Sequence, residues 1–425
     1  MLAADPHREI EAVFRIESPR LIAGLARMTR DVGLAEELAQ DALVAAIEHW
    51  PTEGTPAKPG AWLMATAKRK AIDHFRRREM AAAKHAEIER DLEWEQERAV
   101  GDIETALDES VGDDLLGLIF TACHPVLSSD ARVALTLRLL GGLTTGEIAR
   151  AYLVPEPTVA QRIVRAKRTL AEAGVEFETP RGVELKERLP SVLEVIYLIF
   201  NEGYAATTGP DWTRPQLCHE ALRLGRILAE LTPGEGEVHG LVALMEIQAS
   251  RLAARVNAAG EPVLMADQNR ARWDPLLIRR GLAGLVRAEA TGGPPGPYFL
   301  QAAIAACHAR ARTFAETDWR QIAALYALLA TIAPSPVVEV NRAVAVSMAE
   351  GPAAGLAVID AAAEHPAMRD YHLLASVRGD LLAKLARNDE ARGEFERAAG
   401  LTQNERERAM LHKRAAELGS AKRLN

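Results

Sequence analysis

Apolar residues return at three- and four-residue steps along most of the chain, and the sharpest case is residues 143–170, LTTGEIARAYLVPEPTVAQRIVRAKRTL. Thr144 followed by Glu147 is a capping box, which predicts a short helix ending near Tyr152. Pro155 and Pro157 then open a second helix, because a proline in the first turn loses no helical hydrogen bond. Val159, Ile163, Ala166 and Leu170 form its inward stripe, while Thr158, Gln161, Arg162, Arg165 and Arg168 fall outside. Two short helices joined by a tight turn make a helix-turn-helix. The outer face carries groups that can bond base edges and hold phosphates. An ordinary solvated amphipathic helix has the same pattern, and this stretch alone does not decide between the two.

Upstream, residues 8–30 predict a helix with Ile10, Val13, Phe14, Leu21, Leu25 and Met28 as its apolar positions, interrupted at Pro19, with Asp31 capping the next. In residues 34–50, Leu38, Ala42, Ala45, Ala46 and Trp50 face inward. Glu36, Glu37, Gln40 and Asp41 cluster on another side. A loop rich in proline and glycine, residues 51–60, leads into a helix over 61–78. There Leu63, Ala67, Ala71 and Phe75 face a core, and Lys68, Arg69, Lys70, Arg76, Arg77 and Arg78 concentrate positive charge. Such a helix suits a phosphate backbone, and Trp62 beside the loop offers a stacking surface to unpaired bases. Taken alone it reads more readily as a solubilising basic surface. Residues 80–114 are acidic and poor in large apolar side chains, as a linker is.

Beyond Pro180 the pattern predicts helices over 189–204, 216–231 and 237–256. Residues 261–275, EPVLMADQNRARWDP, gather Asp267, Gln268, Asn269, Arg270, Arg272 and Trp273 between apolar sequences. They form either a polar network bracing a turn or a ligand or partner site. Helices then pair at short turns: 299–316 with 319–332, 337–349 with 353–362, 371–386 with 390–400, and a closing helix over 405–418. The third pair resembles a tetratricopeptide repeat, with Gly379 where two helices approach closely and Ala391, Phe395 and Ala398 in the second helix.

Composition sharpens this picture. Hydrophobic residues make up 48% of the chain and aromatic ones only 5%, and alanine and leucine dominate, as in an all-α protein. A length of 425 residues suggests two or three domains. A net charge of −8 confines any DNA contact to local basic patches. Cys123, Cys218 and Cys307 cannot build a disulfide framework. Each precedes a histidine (His124, His219, His308), but no second ligand stands at helical or CxxC spacing, so they read as buried cysteines and no metal is expected. No apolar run is long enough for a signal peptide or a membrane span, which points to the cytoplasm. The absence of GxxxxGK[ST], GxSxG and HExxH leaves no catalytic residue and no cofactor to expect.

AEELAQDALVAAIEHW, AWLMATAKRKAIDHFRRR, the acidic linker and LGGLTTGEIARAYLVPEPTVAQRIVRAKRTL resemble, in order, regions 2 and 4 of extracytoplasmic-function sigma factors of bacterial RNA polymerase. With the NEGY and DQNRARW stretches, the whole resembles the group carrying a large C-terminal extension with tetratricopeptide-like repeats. The resemblance implies two small helical domains followed by a helical-repeat domain: region 2 over 1–79, the linker over 80–112, region 4 over 113–175 and the extension over 181–425. It implies that Glu36, Glu37, Gln40 and Asp41 dock on polymerase. Trp62, Lys68, Arg69, Asp73, His74, Arg76, Arg77 and Arg78 would meet the minus-10 element. Thr158, Gln161, Arg162, Arg165, Lys167 and Arg168 would meet minus-35. Asn201, Glu202, Tyr204, Asp267, Gln268, Arg270 and Trp273 are candidate regulatory positions.

Arg69 stands where the family often has Asn, His74 where it often has an aromatic residue, and PEPTVAQR where SEGTVKSR is commoner. The family's base preferences therefore do not carry over. The partners implied are core RNA polymerase and promoter DNA, with no membrane; an anti-sigma partner is not evident, and the extension is expected to act in cis. A rival reading, a stand-alone helix-turn-helix regulator with a sensing repeat domain, leaves the basic helix and the acidic linker without a task.

Overall fold

The computed structural model describes residues 6–83, 114–152 and 154–421, so most of the acidic linker lies outside the described residues. The described residues form α-helices and short 3-10 turns, with two strands of two residues each. It divides into two compact units, Met1–Ile196 and Tyr197–Asn425.

In the first unit, α1 (Pro6–Thr29) and α2 (Val32–Glu53) pack as a hairpin with α3 (Pro59–Ala83) across them. Asp31 caps α2 as its spacing predicts: its Oδ1 accepts from the amides of Gly33 at 2.7 Å and Leu34 at 3.1 Å. Two prolines behave differently from expectation. Pro19 lies inside α1 without ending it, because Leu21, Ile22, Ala23, Leu25 and Ala26 are buried just beyond it and hold the helix by packing. Likewise α2 runs on through Pro51 and stops at Gly54, whose φ of 86° suits glycine. The loop therefore shrinks to residues 54–58. Met28, expected inward, is 43% exposed.

A second group of helices follows: α4 (residues 114–122), buried all round, α5 (Ser129–Leu139), α6 (Thr145–Tyr152) and α7 (Glu156–Glu172). Gly142, with φ of 62°, makes the turn from α5 into α6 and lies against Arg15 of α1, where a Cβ would come within 3.2 Å of that side chain. Helix α8 (Gly182–Tyr204) starts seven residues before its predicted beginning at residue 189 and contains Pro190.

The second unit contains α9 (Pro215–Leu231), α10 (Gly236–Ala249), α11 (Pro275–Ala290), α12 (Pro297–Arg310), α13 (Trp319–Ile332), α14 (Pro336–Glu350), α15 (Pro352–Ala363), α16 (His372–Lys384), α17 (Asn388–Leu401) and α18 (Glu405–Ala421). Helices α12 to α18 pack each against the next, the tetratricopeptide-like arrangement expected. The close approach at Gly379 is real: a Cβ there would meet the Phe395 ring at 2.9 Å and the Ala391 carbonyl at 3.2 Å. Two predicted helices are shorter than their patterns. Helix α10 ends at Ala249, where Ser250 Oγ bonds the Ile247 carbonyl at 2.6 Å, and a separate 3-10 turn, Leu252–Ala254, follows. Helix α12 ends at Arg310 instead of residue 316, with the Arg270 guanidinium on its terminal carbonyls. Strands β1 (Thr208–Gly209) and β2 (Gln403–Asn404) pair in parallel, and Asn404 Nδ2 donates to the carbonyls of Ala206 at 3.0 Å and Asp211 at 2.8 Å.

Candidate nucleic-acid interface

The helix-turn-helix forms as its residues dictate. The Thr144 amide donates to Glu147 Oε2 at 2.8 Å and the Glu147 amide to Thr144 Oγ1 at 3.1 Å, closing the capping box. Burial alone would raise the Glu147 pKa, but the Thr144 donors and the charges of Arg15 and Arg150 hold it below its ordinary value. Thr145 Oγ1 donates to Glu156 Oε1 at 3.0 Å, tying α6 to the start of α7. Val159, Ile163, Ala166 and Leu170 are all buried. Thr158, Gln161, Arg165 and Arg168 are exposed, and Arg168 bonds Glu172 one turn on at 2.6 Å. Arg162 is half-buried and pairs with Asp130 of α5 at 3.1 Å.

Lys167 stands apart from that face. It is half-buried on the opposite flank of α7, and its ammonium pairs with the Glu36 carboxylate of α2. Glu36 is 5% exposed and also accepts from Arg138 Nε of α5 at 2.5 Å. Burial alone would raise its pKa, but Lys167 and Arg138 more than offset this and hold the carboxyl below its usual range. Thus Glu36 and Lys167, which the sequence assigns to two different surfaces, are ion partners, and Glu36 leaves the acidic cluster. The exposed stripe of α2 is Glu37, Asp41, Val44 and Glu48, with Gln40 half-buried beside it. Val44, 51% exposed, went unnoticed in the sequence because one valine among alanines reads as core. Arg138 was missed because α5 reads as a packing helix only.

On α3, Arg69, Asp73, His74, Arg76 and Arg77 are exposed. Lys70 is half-buried and lies 3.9 Å from Asp41. Lys68 is also half-buried; burial and the nearby Arg27 of α1 push its pKa below the usual value. The Arg78 side chain lies outside the described residues. Trp62 is half-buried, its ring edge-on to Trp50 at 5.4 Å and to His49 at 6.4 Å.

After α7 the chain folds back on α4 and α5. Arg188 of α8 donates to the Phe120 carbonyl at 3.1 Å and lies 5.5 Å from that ring's centroid. Ser191 Oγ donates to the Cys123 carbonyl, and Glu194 pairs with Arg132 of α5 at 3.0 Å. These contacts are not legible in the sequence, since each joins residues far apart along the chain.

Of the candidate regulatory positions in the second unit, Asn201 and Asp267 are exposed. Glu202 is buried, pairs with Arg214 and accepts from Thr207 Oγ1 at 2.8 Å, bracing the loop after α8. Tyr204, Gln268, Arg270 and Trp273 come together with Arg251 and Arg255. All three cysteines are buried thiols, and burial pushes Cys123 and Cys218 up to about 12.

Residues 13–80 match the family described as Sigma-70 region 2 and residues 118–170 the family described as Sigma-70, region 4. Residues 188–289 match a family of unknown function (DUF6596). The uncharacterized protein R00370 of Rhizobium meliloti (strain 1021) is 42% identical over 394 residues, 92% of either chain. The ECF RNA polymerase sigma factor SigK of Mycobacterium ulcerans (strain Agy99) is 27% identical over 169 residues, 38% of this chain and 84% of that protein. Yeast Tom70 aligns over 99% of this chain and 90% of its own at 12% identity, with a TM-score of 0.32, too low to establish a common fold.

Sigma-70 regions 2 and 4 in one chain define an extracytoplasmic-function type of sigma factor, with a role in transcription initiation. The chain belongs to the same family as Rhizobium meliloti R00370, a likeness that runs well past region 4 into the extension.

Proposed function

We propose that this sigma factor joins core RNA polymerase through the exposed stripe of α2 and directs it to promoters with two short elements. Region 2 would extend to residue 79, the acidic linker over 80–112, region 4 over 113–175 and the extension from residue 181. The basic outer side of α3, with Arg69, His74, Arg76 and Arg77, would meet the minus-10 DNA, with the half-buried Trp62 near its start. Thr158, Gln161, Arg165 and Arg168 of α7 would meet minus-35. The observation that carries this reading is the pairing, in one chain, of a solvent-exposed basic α3 with a solvent-exposed recognition face on α7. The chain itself performs binding and positioning, and the polymerase supplies the chemistry.

The extension is proposed to act in cis on region 4, a reading supported by Arg188, Ser191 and Glu194 resting on α4 and α5. The direct test is capture of core polymerase by the purified chain, followed by transcription from a matched promoter in a purified system. A chain that retains DNA but never core polymerase would instead be a stand-alone regulator. Ending the chain at residue 178 tests the cis reading: equal promoter-directed transcription by the short and full chains at equal folded concentration would refute it.

A further inference from the structure

Between α10 and α11 the chain gathers positive charge that the described residues do not balance. Arg251 and Arg255 are 6% and 9% exposed and flank the 3-10 turn Leu252–Ala254. The guanidinium of Arg251 lies 5.1 Å from the centroid of the Trp273 ring, and that of Arg270 lies 4.6 Å from the same ring. Arg255 sits 3.8 Å from the Tyr204 ring and 5.7 Å from that of Trp212. Arg251 feels the charges of both Arg255 and Arg270, and His308 those of Arg251 and Arg270, so the four groups share one neighbourhood.

Their hydrogen bonds go to neutral acceptors. Arg251 Nε donates to Gln268 Oε1 at 3.2 Å and its Nη1 to Gln248 Oε1 at 3.3 Å. Arg270 Nη1 donates to the carbonyls of Ala311, at 2.6 Å, and His308. Among the described residues none of the three arginines has a carboxylate at ion-pair distance; Glu316 acts on Arg270 only from farther away. Arg255 Nε, Arg270 Nη2, Trp273 Nε1 and the Tyr204 hydroxyl are buried without a hydrogen-bond partner there.

Arginine keeps its charge under all ordinary conditions, and a buried charge without a partner is costly. Elsewhere in the same unit the chain meets this requirement. Glu246, 1% exposed, is held by Arg226 at 2.9 Å and Arg280 at 3.1 Å, and Arg378 lies between Asp360 and Glu394. The arginine cluster differs from those two sites in lacking a carboxylate partner. Its aromatic rings keep the guanidinium faces dry and leave their N–H edges for an acceptor.

We propose that Arg251, Arg255 and Arg270, together with Trp273 and Tyr204, form a binding site in the extension for a small molecule bearing an oxyanion, phosphate or carboxylate. Arg270 and Tyr204 are half-buried, less enclosed than Arg251 and Arg255. Arginine forks match either oxyanion through paired hydrogen bonds, and the rings add a stacking surface for the body of the ligand.

The test uses the full chain with isotope-labelled histidine rings, titrated with inorganic phosphate and, separately, with acetate at constant ionic strength, with chloride as control. The His308 resonance is assigned with His308→Gln. One or both anions should raise Tm saturably and move the His308 resonance, since its imidazole, pushed down to about 4 by burial and the two arginines, gains a proton more easily once an anion arrives. The anion acting at the lower concentration separates phosphate from carboxylate chemistry. Arg255→Met keeps the aliphatic stem against Tyr204 and should need about tenfold more anion for the same response. If neither anion acts beyond chloride on the native chain, the cluster is a structural brace and the proposal fails. An undiminished response in a folded Arg255→Met protein overturns it equally. Should that variant not fold, the native titration decides alone.

Discussion

Lys167 of the recognition helix and Glu36 of α2 are ion partners, and Arg138 completes the cluster from α5. Region 2 and region 4 thus share a buried charge. Glu36→Gln should cost on the order of 1–3 kcal/mol by removing the charge on which both cations converge. Because the folded pKa of Glu36 is depressed, its contribution is fully present above the ordinary carboxylate pKa and is lost as pH falls through the lower folded value. Thermal unfolding of both proteins across pH measures this. The gap between them should be constant from neutral pH down to the carboxylate range and close below it; a gap that closes near neutrality contradicts the assignment.

Arg165 and Arg162 lie near one another on α7 but in different surroundings. Arg165 is exposed, whereas Arg162 is already paired with Asp130. Arg165→Ala should therefore relax preference at one minus-35 position by roughly 1–3 kcal/mol, with a smaller effect from Arg162→Ala. Binding to promoters altered one base pair at a time measures both. Uniform loss across the panel would make Arg165 a phosphate contact.

Arg76 and Arg77 are exposed on α3. Neutralising either should reduce the salt dependence of promoter binding by about one unit of slope if it touches the backbone. A slope unchanged in a folded variant removes that arginine from the interface.

Arg188 connects the extension to α4 through the Phe120 carbonyl and ring. Arg188→Ala should destabilise the first unit by about 1–2 kcal/mol. Glu184→Gln, which breaks only the partly exposed i,i+4 pair at 3.0 Å, should change far less. Denaturant unfolding compares them, and equal losses would mean that the Phe120 contacts carry nothing.

Gly379 leaves no room for a methyl group against Phe395. Gly379→Ala should cost roughly 1–3 kcal/mol through overpacking, and Phe395→Leu in the same chain should recover part of it. Calorimetry of the single and double variants tests this, and strict additivity would show that the two side chains do not meet.

The sequence by itself determined the helical class, the helix-turn-helix and the repeat hairpins. Each rests on local rules: the Thr144–Glu147 cap, the Val159, Ile163, Ala166 and Leu170 stripe, and the small Gly379 at a close helix approach are all set within one or two helices. It also singled out Arg270 and Trp273, though not the grouping in which they serve. The break expected at Pro19 does not occur because the residues buried beyond it hold α1 together, and α2 runs three residues past its predicted end at Trp50, to Glu53. What only the tertiary structure decided is which charged groups meet. Periodicity tells which face of a helix is apolar, but not which helix covers its flank. So the pairing of Glu36 with Lys167, the landing of Arg188 on Phe120, the parallel pairing of Thr208–Gly209 with Gln403–Asn404, and the convergence of Arg251 and Arg255 on Trp273 and Tyr204 could be read only once the helices were packed.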